Sequence, residues 1–538
     1  MKESNFNIPY PFFEKDGALY KLIVRKDEEV AKFISRNVPY ITAKYRDVEF
    51  NHIFYEICFK SNNRLVKVTE SASVVAKKNL LLNLALRGLN INDNNAKDFI
   101  DYFSLYEREN AIPVEDTVMR LGYINGEFYH PDIATFKITA ENIAYKKILN
   151  SIHGKGTLES YRKDVFEKIK QSYVATFVTY TSLSSILLKD FDIEPFAVEI
   201  SGVTSSGKTT ALKLAASVWG RYEDLVMSWN ITNVGIERLA MITNSFPLIL
   251  DDTQKASSQN LINAIYQFSS GIGKVRGSLE GIRNNYTWSN ILLSSGEYSM
   301  VNRKENTGGA SARVITIGRA PFKSIDYTDL YEGLGKSYGT LGVAFQKEYE
   351  KNEGVYKELF NEITKKYKMK YKMNDVLSRL VRLVSIIHLA GLILNQVKGF
   401  RTNVAEVCET IFEDIIESNK TVNMPEYRLE EVLSVLDTKR NQIQSNNHSL
   451  NGIDIIAVNR EDYVGVTKNF LNSIIESHEI NQLVSDWKRL EYLITDKDRV
   501  QKSVKIKTGN GKVENIRVYA IKKEVIKWLS YDFEIYKN

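Results

Sequence analysis

Gly202-Val203-Thr204-Ser205-Ser206-Gly207-Lys208-Thr209 spells G-x-x-x-x-G-K-T between a strand-like run, Phe196-Ala-Val-Glu-Ile200, and a helix-forming run, Thr210-Ala-Leu-Lys-Leu-Ala-Ala216. Strand, glycine-rich loop and helix in that order make a phosphate cradle. The glycines let backbone N–H groups close on a phosphate, and the helix presents its positive end. Lys208 is placed to reach the β and γ phosphates of ATP, and the Thr209 hydroxyl to ligate Mg2+. Residues Gly202 to Thr210 are therefore the expected nucleotide-binding segment, with ATP and Mg2+ as cofactors.

A site that cleaves a phosphate also needs a second strand ending in carboxylates, one for the metal and one for the attacking water. Phe246-Pro-Leu-Ile-Leu-Asp251-Asp252 supplies one. Asp251 is expected to ligate Mg2+ and Asp252 to activate water. Between the two motifs lie a strand-like run, Leu225 to Asn230, and a helical run, Val234 to Ile242; after them come a helical run, Gln259 to Phe268, a strand-like run, Asn290 to Ser295, and another, Ala312 to Ile317. This is the element order of a AAA+ domain. Ser294 and Ser295 end the fourth strand with hydroxyls suited to a sensor contact. Arg313, after the loop Asn306-Thr-Gly-Gly-Ala-Ser-Ala, is placed as an arginine finger reaching a neighbouring subunit's ATP. Arg379 and Arg382, three apart on a helical run from Asp375 to Leu394, are both candidates for a second sensor.

Two further segments point to nucleic acid. Residues 271–288 form an insertion whose Lys274 and Arg276 precede a glycine turn and a returning aromatic run, the pattern of a β-hairpin. Its cations suit backbone phosphates, while Tyr286 and Trp288 suit packing at its base. Beyond Pro425 the runs Leu429–Ile443, Val466–Ser477 and Gln482–Leu493 read as helices, with a polar loop through Asn446-Asn447-His448 after the first and two β-like runs around Asn510-Gly511 after the last. That is the order of a winged helix. Lys488 and Arg489 sit on its recognition helix, and Lys497, Arg499, Lys502, Lys505, Lys507 and Lys512 make its wing basic against Asp498.

The 538 residues exceed one hydrophobic core. The expected division is an N-terminal mixed α/β module (1–140), a helical connector (141–190), an α/β ATPase domain with a helical lid (191–424) and a winged helix (425–538). In the first module, runs at Ala18–Val24, Phe50–Phe59 and Tyr123–Tyr129 read as strands, and Val75–Leu89 as helix. A formal charge of +6 permits a nucleic-acid partner without requiring one. Two distant cysteines, Cys58 and Cys408, and six scattered histidines offer neither a disulfide framework nor zinc-ligand spacing. The amino terminus lacks a signal core and no uninterrupted apolar run approaches a membrane span, so the expected location is the cytoplasm.

Taken with the Walker motifs, Trp229-Asn230-Ile-Thr, Gly235-Ile-Glu-Arg-Leu-Ala240 and Gly273-Lys-Val-Arg-Gly277 give a chain that resembles the MCM-like AAA+ helicases carried by mobile elements such as staphylococcal cassette chromosomes. The resemblance covers 196 to about 320. It implies a self-loading replicative helicase, a hexameric ring with ATP at subunit interfaces, single-stranded DNA in the channel at a pre-sensor hairpin, duplex or fork at the winged helix, and replication proteins of the same element as partners. The chain departs from that pattern in having Asp252 where glutamate is usual and no N-terminal zinc cysteines. Two rival readings of the residues remain open: an ATP-switched origin-binding initiator or loader, and a AAA+ remodeller of protein partners.

Overall fold

The computed structural model describes residues 6–140, 142–274, 277–278, 281–282, 286–301, 308–322, 327–371, 375–418, 424–445, 454–475, 477–496, 499–507 and 512–533. They form two units, Met1–Ile415 and Ile416–Asn538.

In the first unit, the strands Phe12–Lys15, Ala18–Arg25 and Glu28–Ser35 make an antiparallel sheet. Next comes a five-stranded mixed sheet in the order Lys137–Ile138, Val114–Val118, Tyr40–Asp47, Ile53–Ser61, Arg64–Ser71. Against them lies a helix the sequence reading missed, Ala96–Glu109. Ala96, Phe99, Tyr102, Phe103 and Tyr106 recur at helical spacing and join Leu19, Ile41, Ile57 and Phe59 in one core. On the same helix, the largely buried carboxylate of Asp98 takes ion pairs from Lys21 at 3.0 Å and Lys32 at 2.6 Å.

Two expectations for this region need correction. Val75–Leu89 is not one helix but three short pieces, Ala72–Ala76, Lys78–Leu81 and the 3-10 turn Leu82–Arg87. Lys77 is extended and breaks the run, and Gly88 ends it at φ +94°. Tyr123–Tyr129 is a hairpin rather than one strand, because Asn125 and Gly126 turn the chain at φ +51° and +90°.

The centre of the unit is a five-stranded parallel sheet, ordered Val226–Ser228, Leu248–Asp251, Ile291–Gly296, Phe196–Ser201, Val314–Ile317. Its three central strands are almost wholly buried, as parallel strands covered on both faces must be, which explains their largely apolar sequences, interrupted by the buried Glu199, Ser294 and Ser295. The expected strand at Leu225–Asn230 shrinks to Val226–Ser228, since Tyr222–Leu225 closes a helical turn ahead of it. The helices Lys208–Ser217, Asn233–Thr243 and Ser258–Ser269 connect the strands. The Ile291–Gly296 strand lies between the P-loop strand and the Asp251 strand, so its carboxyl end opens between the two motifs.

Helices Tyr327–Lys336, Thr340–Lys351, Glu353–Lys370 and Asp375–Leu394 follow. Within the last, Val376–Leu394 is long and apolar enough to cross a membrane by length and composition, although the sequence offers no uninterrupted apolar run of that length; 67% of it is buried in the protein.

In the second unit, helices Met424–Thr438, Lys468–Asn472, Ser477–Arg489 and Lys523–Trp528 pack with a sheet around Val513–Lys522. The run expected as helix from Val466 begins instead as strand Tyr463–Thr467, where Val464 and Val466 are buried on a pleated surface. The Thr467 hydroxyl then caps the helix that follows by accepting from Phe470 N. Lys502–Lys507 pairs antiparallel with Val513–Lys522. Asn446, Asn447, His448, Lys497, Asp498, Asn510 and Gly511 lie outside the described residues.

Candidate nucleotide site and nucleic-acid elements

At the carboxyl edge of the parallel sheet lies a cleft of about 440 Å³, lined by Thr204, Ser205, Gly207, Lys208, Thr209 and Thr210 on one side and Asp251, Asp252, Ser295 and Glu297 on the other. Ligands of open α/β sheets sit at this edge. The loop needs its glycines: Gly202 and Gly207 have φ of +146° and +88°, and a Cβ on Gly207 would stand 2.7 Å from the Phe322 and Tyr327 side chains. Ser205 adopts φ +62°, Val203 is 78% exposed, and the buried Ser206 hydroxyl has no partner among the described residues.

Lys208 Nζ donates to the carbonyls of Gly202 and Val203, each at 2.7 Å, bringing the ammonium back over the loop. Thr209 Oγ1 donates to Asp251 Oδ1 and Oδ2 at 3.2 and 3.0 Å. Ser295 Oγ also donates to Asp251 Oδ1, and Asp252 N donates to Ser295 Oγ at 3.3 Å. Two hydroxyls and a carboxylate thus converge, an all-oxygen donor set of the kind a hard divalent cation takes. Asp252 stands at φ +70° and pairs with Lys255 at 3.3 Å.

Ser294 and Ser295 separate. Strand alternation turns Ser294 inward, where it is wholly buried and accepts from Trp229 Nε1 at 2.8 Å, so only Ser295 faces the cleft. Glu297, two residues further on, was not picked out from the sequence. Its carboxyl is held below the usual range by hydrogen bonds from Thr204 and Gln254, with Lys208 adding attraction.

The three arginines lie away from this cleft. Arg313 donates to Gly309 O at 2.7 Å and lies 5.5 Å above the ring of the partly exposed Tyr266. Asn306 and Thr307 of its loop lie outside the described residues. Arg382 donates through Nη2 to the carbonyls of Phe191 and Asp192, both at 2.9 Å. Arg379 is exposed on the same helix and does not line the cleft either.

The insertion after helix Ser258–Ser269 carries a short antiparallel pair, Gly277–Ser278 with Gly281–Ile282. Lys274 is exposed at its start; Arg276 lies outside the described residues. Trp288 is buried at the base and donates to Phe268 O at 2.8 Å, and Tyr286 meets Phe50 edge-on at 6.0 Å. Arg120, almost fully buried, pairs with Glu49 and donates to the Thr287 carbonyl, tying the N-terminal module to the hairpin base. No local pattern announces that contact in the sequence.

In the second unit, Lys488 and Arg489 are exposed in the last turn of helix Ser477–Arg489, Arg489 pairing with Asp486 at 3.2 Å. On strand Lys502–Lys507, Lys505 and Lys507 point outward while Val504 and Ile506 point in. Lys502 has the inward parity and lies 5.0 Å over the Tyr463 ring, apart from the two outward lysines.

Residues 12–287 match a family described as a domain of unknown function, DUF927. The chain belongs to the DUF927 family. Among solved structures, this DUF927 protein resembles one named SCCmec type IV Cch, active helicase, with a TM-score of 0.67 and 16% identity over 98% of this chain and 100% of that one. At such identity the likeness carries the fold. A structure named as the A form of the apo NrS-1 C-terminal region aligns over 89% of the DUF927 chain and 95% of its own at 11% identity, but its TM-score of 0.29 carries no argument. No curated protein matches the chain.

Proposed function

We propose that this chain is an ATP-dependent DNA helicase of the AAA+ type, working as a ring, with a hexamer as the expected assembly, in replication of a mobile element. The observation that carries the reading is the meeting of Lys208, Thr209, Asp251 and Ser295 at the carboxyl edge of a parallel sheet, with the Ser295 strand between the other two motifs. The fold shared with a structure named as an active helicase supports the step from nucleotide site to unwinding.

In this reading Lys208 leaves its two carbonyls and neutralises the β and γ phosphates of ATP. Thr209 and Asp251 would hold Mg2+, whose chemistry there is to offset charge on those phosphates. Asp252 orients the attacking water, and Ser295 holds the Asp251 carboxylate in place. Arg313, distant from its own cleft, serves a neighbour's. Lys274 and Arg276 track single-stranded DNA; Lys488, Arg489, Lys505 and Lys507 meet duplex phosphates on a winged helix, where Lys502 has a lesser share. Replication proteins of the same element, in the cytoplasm, are the proposed partners.

ATP hydrolysis measured with and without single-stranded DNA tests this reading. Turnover that DNA accelerates and that Lys208→Ala abolishes is expected; turnover indifferent to DNA would favour a remodeller of proteins.

A further inference from the structure

Besides Asp251, Asp252, Ser295 and Glu297, two rings line the cleft, Tyr327 and Tyr331. They stand four residues apart on helix Tyr327–Lys336 and so share a face. Their neighbours are at the start of the P-loop helix. Tyr331 Oη lies 2.8 Å from Thr210 Oγ1, and a Cβ on Gly207 would come within 2.7 Å of Tyr327 Oη.

Both rings are held from outside. Lys213 Nζ sits 4.6 Å over Tyr331, and Phe322 meets Tyr327 edge-on at 5.7 Å. Two half-buried aromatic rings in a polar cleft, with their contacts at Gly207 and Thr210, suit an occupant with a flat apolar face. A triphosphate lying from Thr209 toward Lys208 leaves its nucleoside to these rings.

We propose that Tyr327 and Tyr331 are the nucleobase platform of the site, holding the base of a nucleoside triphosphate against a ring face. This rests on the nucleotide-site reading above and adds the part of the ligand that the P-loop does not touch. Stacking on an aromatic ring is tolerant of base identity and strong enough to set affinity.

The test uses the full chain with magnesium and measures equilibrium binding of ATP, ribose 5-triphosphate and inorganic tripolyphosphate. The parent is expected to bind ATP about tenfold tighter than either ligand lacking a base, the scale of one stacked base. Tyr327→Leu and Tyr331→Leu should each lose most of that advantage yet keep tripolyphosphate affinity within about twofold of the parent, since the phosphate cradle is untouched. Tyr327→Phe and Tyr331→Phe keep the rings and should bind ATP as the parent does.

Equal affinity of the parent for ATP and ribose 5-triphosphate would overturn the platform. So would leucine variants that hold ATP normally or lose tripolyphosphate equally, or phenylalanine variants as weak as the leucine ones, which would give the effect to the hydroxyls. A parent that binds none of the three ligands removes the nucleotide site itself.

Discussion

Thr209 Oγ1 donates to both carboxylate oxygens of Asp251, at 3.2 and 3.0 Å, joining the end of the P-loop to the end of a strand two places away in the sheet. If this pair holds Mg2+, Asp251→Asn should weaken magnesium-dependent ATP binding, and chelating the metal from the parent should do the same. Asp252→Asn should instead bind ATP and hydrolyse it at least about a hundredfold more slowly, as expected when a water-orienting group is removed. Titrations of ATP binding against magnesium, paired with single-turnover hydrolysis, separate the two. Normal hydrolysis by Asp252→Asn would pass the water to another group, and Glu297 lines the same cleft.

Arg313 lies over Tyr266 and outside its own cleft. A finger that acts across a boundary can be rescued by mixing. Arg313→Ala and Lys208→Ala chains are each inactive alone, but together they form some boundaries with both groups intact. Recovered ATPase activity on mixing is the expected result. If the two proteins demonstrably co-assemble and activity stays absent, Arg313 does not act in trans.

The hairpin and the wing should fail differently. Replacing Lys274 and Arg276 by alanine removes charge from the proposed channel contact and none from the phosphate cradle, so basal hydrolysis should persist while DNA stimulation and unwinding fall. Replacing the outward Lys505 and Lys507 should lower the slope of log affinity against log salt by roughly one per lost phosphate contact. DNA-binding titrations at several salt concentrations measure that slope. An unchanged slope would assign the second unit to protein contacts.

The buried His130 and the half-buried His388 should make stability fall in mild acid. Burial holds His130 and His388 down to about 4, with Asp132 and Glu409 respectively opposing the shift. The folded state keeps both rings neutral, whereas the unfolded chain protonates them near the ordinary value of about 6.5. Their contribution is complete above that value and is lost as pH falls toward 4. Urea midpoints should therefore drop between about pH 7 and pH 5. The His388→Phe variant should show a shallower drop than the parent, and an equal drop would place the acid sensitivity elsewhere.

What the sequence disclosed follows from where the determining residues lie. The P-loop and the Leu248–Asp251 strand were legible because glycine spacing, β-branched or leucine runs and terminal carboxylates are local signals. Helix Ala96–Glu109 escaped notice because its buried face is built from Phe and Tyr among acids, not aliphatics. Which of Ser294 and Ser295 reaches the cleft depends on strand phase against the sheet, and Trp229 decides it from 65 residues away. Arg382 shows the reverse case, since a sequence can place a cation on a helix without showing that distant carbonyls already hold it. Tyr327 and Tyr331 reach the P-loop only through the fold, and no local spacing links them to it.

Strand displacement on forked DNA, with substrates tailed at either end, tests the account most directly. With ATP and magnesium the parent chain should separate the strands of at least one substrate, and Lys208→Ala, folded and still able to bind DNA, should separate none. Hydrolysis that DNA stimulates, but with no strand separated on either substrate, would contradict a helicase and favour an ATP-switched loader.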